Sequence, residues 1–378
     1  MGNKELRYPF LSLRESNDKI MKDLESVASK VIRSGNYLRG EYTAALESKL
    51  AKYCEAPYCV ATSNGLDALR LIFRAYISMG VILPGDEVIV PANTYIATVL
   101  AITDNSLVPV FVEPDVSTMN LDTEKIESRI NLHTRAILTV HLYGNTCYDE
   151  NLKRLASDYD LKLIEDNAQA FGARSEVTSV FGSRVTGGLG DSAALSFYPT
   201  KNLGALGDAG AVVTHDEDLA NCVRAIANYG SDKRYHNIYK GLNCRIDEIQ
   251  AAFVLEKLKY VDNEGLRRRR IADIYNEMID NPLIITPLNL HNETQVWHQY
   301  VLRTEYRDEL MKYMNDNGVG CDVHYAVPPH KQPCYLEYAD EQLPVTELLA
   351  KQVVSIPIAN VSESDAHEIS EIINAFNI

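Results

Sequence analysis

Ile20, Leu24, Val27 and Val31 recur at the helical period, and Ser16 or Asn17 stands before them as a cap. Leu46, Leu50 and Tyr53 mark a second helix. From Tyr58 the pattern changes to short, nearly continuous apolar runs: YCVAT (58–62), EVIVP (87–91), LVPVFV (107–112), AILTVH (136–141), LKLIED (161–166), SAALSF (192–197) and AVVTH (211–215). Helical stretches such as LDALRLIFRAY (66–76) separate most of them. Continuous apolar strands that alternate with helices predict an α/β domain whose mostly parallel sheet is buried on both faces. After Asp247 a long helical stretch runs to Met278. From about residue 280, short strands and helices mix, which predicts a smaller α+β domain. The reading is therefore an N-terminal arm and large domain over 1–255, and a small domain over 256–378. The run RRRR (267–270) lies inside a charged helix and reads as a solvated face rather than a nucleic-acid contact.

A chain of 378 residues with 46% apolar content fits a soluble protein of two domains. Its 37 basic and 52 acidic residues leave a net charge of −15, which argues against broad binding to nucleic acid or anionic membranes. A single phosphorylated ligand remains compatible with that charge, since local donors suffice to hold it. No apolar run approaches the roughly 20 residues of a membrane span. The start, MGNKELRYPFLSLRES, lacks the apolar core of a secretory signal, and Leu6 breaks the myristoylation pattern at Gly2. Seven cysteines without a CxxC pair read as free thiols in a reducing cytoplasm, with no metal cluster.

In an open α/β sheet, ligands gather beyond the carboxyl ends of the strands. Ser63-Asn64-Gly65 leads from a strand into a helix, where free N–H groups suit a phosphate or where the polar residues simply cap. Tyr95 follows another strand and either packs or stacks on a flat ligand. Asp166 ends a third strand; it either caps a helix or meets a cationic cofactor, because burying an unpaired charge is costly. Lys201 stands alone in SFYPTKNLGALGDAG (196–210), just beyond the strand SAALSF. A desolvated lysine loses its proton readily and condenses with aldehydes. Pyridoxal 5'-phosphate needs such a lysine, an acid for its ring nitrogen, a phosphate site and an aromatic on its face. Lys201, Asp166, the Gly65 turn with Ser196, and Tyr95 supply that set. Nucleotide-loop, dinucleotide, zinc-protease, calcium-loop and serine-hydrolase patterns are all missing, and GALGDAG (204–210) has the wrong glycine spacing.

The ordered series SNGLDALRL, GDEVIVPANTYIAT, VEPDVSTMNLD, HLYGN, IEDNAQAFGA, GGLGDSAALSFYPTKNLGALGDAGAVVT, GLNCRIDEIQAA, WHQYVLRT and VHYAVPPHKQPCY covers nearly the whole chain. It resembles the DegT-type nucleotide-sugar aminotransferases, which are fold-type I pyridoxal-phosphate enzymes. The resemblance implies a Schiff base on Lys201, which also shuttles the proton. It implies Asp166 on the pyridine nitrogen, Gln169 on the ring hydroxyl and Tyr95 on the ring face. Gly65 and Leu66 N–H groups and the Ser196 hydroxyl would hold the phosphate. Asn243 would reach it from the other subunit, making the enzyme a homodimer with shared sites. Many relatives have threonine where Leu66 stands and histidine where Phe171 stands, and the 174–186 connection is longer than usual. The nearest subgroup aminates position 3 of dTDP-3-keto-6-deoxyhexoses, with Tyr198, His324 and Tyr325 near the hexose. Arg245 and Lys233 are left to meet the diphosphate. L-Glutamate is the implied donor, and the implied setting is deoxyamino-sugar synthesis for lipopolysaccharide O-antigen or another glycan. Position-4 amination, a GDP- or UDP-sugar, or a non-enzymatic cofactor-binding regulator are the alternatives. Sugar dehydratases of this kind carry histidine in place of the lysine.

Overall fold

The computed structural model describes residues 6–288 and 293–378, so Gly2 lies outside the described residues. Seven strands form the main sheet: β1 (Tyr58–Thr62), β2 (Glu87–Pro91), β3 (Val108–Val112), β4 (Thr134–Val140), β5 (Lys162–Asp166), β6 (Ser192–Ser196) and β7 (Gly210–Thr214). Their order is β1-β7-β6-β5-β4-β2-β3. Only β7 runs antiparallel to its neighbours. Both faces are covered, which is why the strands read as continuous apolar runs. Val88 and Val90 of β2 enter one core with Leu69, Ile72 and Phe73, while Ile89 enters another with Ile137 and Leu163. Each fully buried aliphatic side chain of this kind contributes about 1.5–3 kcal/mol.

The helices are α1 (Leu13–Asp18), α2 (Met21–Ser34), α3 (Glu41–Tyr53), α4 (Gly65–Ser78), α5 (Ile96–Thr103), α6 (Glu150–Asp158), α7 (Glu217–Ile226), α8 (Glu248–Lys257) and α9 (Val261–Met278). The cap expected at Ser16 or Asn17 is not there. Ser12 caps α1 by accepting from the Glu15 N–H, and α2 starts after Ile20 without a side-chain cap. The apolar face Leu24, Val27 and Val31 packs as expected, against Ala252 and Phe253 of α8. Glu248, at the start of α8, accepts from the N–H groups of Gly40, Tyr42 and Thr43 and from the Thr43 hydroxyl. A buried carboxylate thus satisfies the orphan donors that open α3. After a single 3₁₀ turn at Leu258–Tyr260, α9 continues the helical stretch.

A second core gathers Ile271, Tyr275, Trp297, Tyr300, Leu302, Val354 and Ile356 around an antiparallel ribbon, Tyr300–Arg303 against Val353–Ile356. Helices α10 (Arg307–Asp316), α11 (Pro344–Gln352) and α12 (Glu363–Asn374) follow α9 in the chain. The N-terminal arm joins this core: the Tyr8 N–H donates to the Gly318 carbonyl, and the Gly320 N–H donates to that of Tyr8. The RRRR run is not a solvated face. Arg268 is 5% exposed, because the helical period places it with Ile271, Ala272 and Tyr275 on the core side of α9. Only Arg270 of the four is exposed.

Candidate active site

Because β1 and β6 both oppose β7, the carboxyl ends of β1, β6, β5, β4 and β2 share one edge of the sheet. Asp166 closes β5 opposite Ala194 of β6, and Gly210 lies between Thr62 and Ser196. The loop after β6 is pinched by hydrogen bonds from the Phe197 N–H to the Ala209 carbonyl (2.8 Å) and from the Ala205 N–H to the Phe197 carbonyl (2.7 Å). Lys201 sits in that loop. Burial pulls its amine down to about 8, while the Asp166 carboxylate holds it back from falling further.

Asp166 accepts from the Thr98 hydroxyl (2.8 Å) and the Ala168 N–H (3.2 Å). No helix begins after it, so it is not a cap. Burial raises its pKa, against the Thr98 and Ala168 hydrogen bonds and the charge of Lys201. Its neighbour Glu165 points to the other face of β5 and is structural. It meets His141 Nε2 at 2.8 Å and accepts from the N–H groups of Gly187, Leu189 and Gly190. Strand alternation thus gives two adjacent carboxylates separate tasks.

The turn after β1 makes the cap expected of it and leaves open the helix start expected to suit a phosphate. Asn64 caps α4 by accepting from the Asp67 N–H (2.8 Å). The N–H groups of Gly65 and Leu66, ahead of it, have no acceptor within the helix. Ser196 lies against this opening: a Cβ at Gly65 would stand 2.6 Å from the Ser196 Cβ. Two free N–H groups at a helix start beside a hydroxyl form an anion cradle. The residues present therefore fit pyridoxal phosphate: a cradle for its phosphate, an aspartate for its ring nitrogen and a lysine for its aldehyde.

The aromatic groups cluster at the same edge. Gln169 accepts from the Tyr143 N–H (2.6 Å) and donates to the Tyr325 hydroxyl (3.0 Å). The rings of Tyr95 and Tyr325 lie 5.1 Å apart, and Tyr95 is 51% exposed, free to cover a flat ligand. His324 meets Ser355 Oγ at 2.9 Å and stacks on Phe10, while the Tyr143 hydroxyl donates to the His324 carbonyl. Burial lowers the pKa of His324, Asp322 opposes that, and Lys201 adds to it. Tyr198 is 52% exposed beside Thr200 on a cleft of about 480 Å³. Asn243 is exposed, on the segment whose Cys244 and Arg245 pair with Ser63 and Thr62. No hydrogen bond or ion pair among the described residues links Asn243, Lys233 or Arg245 to Lys201. Arg245 instead donates to Asn228 (2.8 Å) and lies over the Tyr229 ring. Leu66 packs against the main core, and Phe171 stacks on Tyr53 at 4.6 Å, so both departures are filled by apolar contacts. In the 174–186 connection, Arg174 pairs with Glu55 and Phe181 stacks on His215.

Sequence reasoning missed Arg268 and His298. His298 is buried on the same cleft, with Nδ1 3.1 Å from Asn202 Oδ1. Burial keeps it well below the usual imidazole range, and Lys201, Arg268 and His324 push the same way. The signal was present only as the motif WHQY, which carries no strand-end signature.

A lysine of lowered basicity, an aspartate ending the adjacent strand and an anion cradle at a helix start, on this sheet, define a pyridoxal-phosphate-dependent enzyme. The chain belongs to the DegT/DnrJ/EryC1/StrS aminotransferase family, whose profile matches residues 18–376. It is 45% identical over 369 residues to the dTDP-3-amino-3,6-dideoxy-alpha-D-galactopyranose transaminase of Aneurinibacillus thermoaerophilus, covering 98% of each chain. The crystal structure of S. venezuelae DesV in complex with a ketimine intermediate superposes with a TM-score of 0.92 at 39% identity, covering 98% of each chain. That of NtdA from Bacillus subtilis with bound cofactor PMP gives 0.87 at 32% identity, over 99% of this chain and 87% of that one.

Proposed function

We propose that this enzyme transfers an amino group from L-glutamate to the keto group at position 3 of a dTDP-linked 6-deoxyhexose. The observation that carries the chemistry is Lys201, half-buried and of lowered basicity, set against Asp166 at the end of β5. The name of the A. thermoaerophilus relative supports the choice of position 3 and of the nucleotide.

Bound at this edge, pyridoxal phosphate supplies an aldehyde that carries the amino group and a ring that takes up the electron pair left when a carbon loses its proton. Ser196 and the N–H groups of Gly65 and Leu66 would hold its phosphate. Asp166, oriented by Thr98 and the Ala168 N–H, would accept a hydrogen bond from the protonated ring nitrogen. Gln169 would serve the ring hydroxyl, and Tyr95 would cover the ring face. Lys201 takes the proton from the donor's α-carbon in the first half-reaction and delivers one to the sugar carbon in the second. An amine titrating near 8 serves both directions at neutral pH. The donor leaves as a 2-oxo acid and the acceptor as an amino sugar. Tyr198, His324 and Tyr325 are the residues proposed to contact the hexose.

The same reading makes the enzyme a cytoplasmic homodimer, with the partner's Asn243 completing the phosphate site and Arg245 and Lys233 near the diphosphate. Seven free thiols, five of them buried, suit a reducing compartment, and no helix among the described residues is long and apolar enough to cross a membrane. The amino-sugar nucleotide would feed glycan assembly, such as that of O-antigen. The deciding experiment assays purified enzyme and L-glutamate against dTDP-3-keto- and dTDP-4-keto-6-deoxyhexoses. Turnover of the 3-keto sugar is expected; turnover of the 4-keto sugar alone would overturn the position assigned.

A further inference from the structure

We propose that Arg268 receives a carboxylate of the amino donor, a role that rests on the aminotransferase reading above. Arg268 is 5% exposed and lines two clefts at once. One, of about 690 Å³, contains Lys201; the other, of about 480 Å³, contains His298 and His324. Its guanidinium is only partly used. Nη1 donates to the carbonyls of Trp297 (3.1 Å) and His298 (3.2 Å), whereas Nε is buried without a hydrogen-bond partner. Glu264 forms an ion pair with Nε at 3.4 Å, but without the geometry of a hydrogen bond. It is hydrogen-bonded instead by Nε and Nη2 of Arg267. One carboxylate, Glu264, thus serves two guanidinium groups, Arg267 and Arg268, and leaves a net positive charge at this wall of the cleft. Keeping a cation buried in this state is costly unless an anion arrives to meet it.

The two substrates differ in where their anions lie. Donor and sugar occupy the site in turn, and each must bring its reacting carbon to the Lys201 amine. On an amino acid, a carboxylate is attached to the reacting carbon itself. On the sugar, the nearest charge is the diphosphate at C1, beyond an uncharged stretch of ring. A buried guanidinium bordering the lysine's own cleft therefore matches the amino acid. A planar guanidinium and a carboxylate also make charge-assisted hydrogen bonds of high directionality.

Arg268→Gln and Arg268→Lys holoenzymes test this. The cofactor spectrum is followed in single turnover with L-glutamate and, separately, with the dTDP-amino sugar in the reverse of the second half-reaction. Losing the contact is expected to raise the half-saturating glutamate concentration about 10- to 100-fold in Arg268→Gln and less in Arg268→Lys. On this assignment Arg268 serves the donor alone, and the amino-sugar half-reaction should stay within about twofold. Glutarate, an unreactive dicarboxylate, should perturb the wild-type spectrum saturably and fail to do so in Arg268→Gln. Equal losses in both half-reactions would assign Arg268 a purely structural role and overturn the proposal, as would unchanged glutamate dependence. Should Arg268→Gln fold poorly, Arg268→Lys carries the comparison. Should the wild type convert neither substrate, the aminotransferase reading fails, and glutarate binding alone decides for or against Arg268.

Discussion

At pH 7 an ordinary lysine holds about one free amine in three thousand molecules, and one titrating near 8 holds about one in ten. Burial of Lys201 makes that difference, so the capture of pyridoxal phosphate by the cofactor-free protein carries its signature. The capture rate should climb with pH up to about 8 and level off above it; a continued climb to pH 10 would place the amine at its ordinary value. Lys201→Ala should bind the cofactor without fixing it. Borohydride followed by intact-mass measurement should then show no added cofactor, with turnover reduced about 1,000-fold or more. Asp166→Ala should retain the covalent link yet slow both half-reactions severely, because a neutral ring nitrogen makes a poor electron sink. Lys201 and Asp166 were legible in the sequence because each breaks a local rule: a lone lysine among glycines, and a carboxylate closing an apolar strand. Arg268 and His298 were not. Four consecutive arginines look alike in a sequence, and only the packing of α9 decides which one is turned inward.

Strand positions are legible for a plain reason: a strand buried on both faces must be apolar throughout. The reversed direction of β7 leaves no such trace, because an apolar run reads the same for either orientation. The start of α2 was misread because Ser16 and Asn17 belong to the short helix before it. Glu248 shows the same limit, since a glutamate opening α8 gives no hint that it also opens α3, some two hundred residues earlier. Replacing Glu248 with alanine leaves Gly40, Tyr42 and Thr43 without their shared acceptor. A loss of about 3 kcal/mol is expected, read as a lower urea midpoint, with Glu248→Gln falling between. An unchanged midpoint in Glu248→Ala would mean that water satisfies those donors equally well.

Acidity at the scale of the whole chain coexists with a cleft that Lys19, Lys201, Lys257, Arg267 and Arg268 help to line, because charge is placed locally. Lys257, on the same cleft as Lys201, is also pulled down to about 8 by burial. The segment 229–240 presents Tyr235, 87% exposed, together with Tyr229 and Ile238, and the homodimer proposed above is open to a direct test. Sedimentation should give twice the chain mass of 42.3 kDa, and a fully active single chain would exclude shared sites. A change of texture after Asp247 precedes the core around Ile271, Tyr275 and Tyr300, but the path of the first residues leaves no such trace. Tyr8 is fastened to Gly318 and Gly320, which carries Phe10 and Leu11 to the cleft wall beside His298 and His324. Residues 8–11 therefore help to wall the cleft in which the substrate is proposed to lie. Trimming a dozen residues would take away Phe10 and Leu11 and so open that cleft, even though the change lies far from Lys201 in sequence.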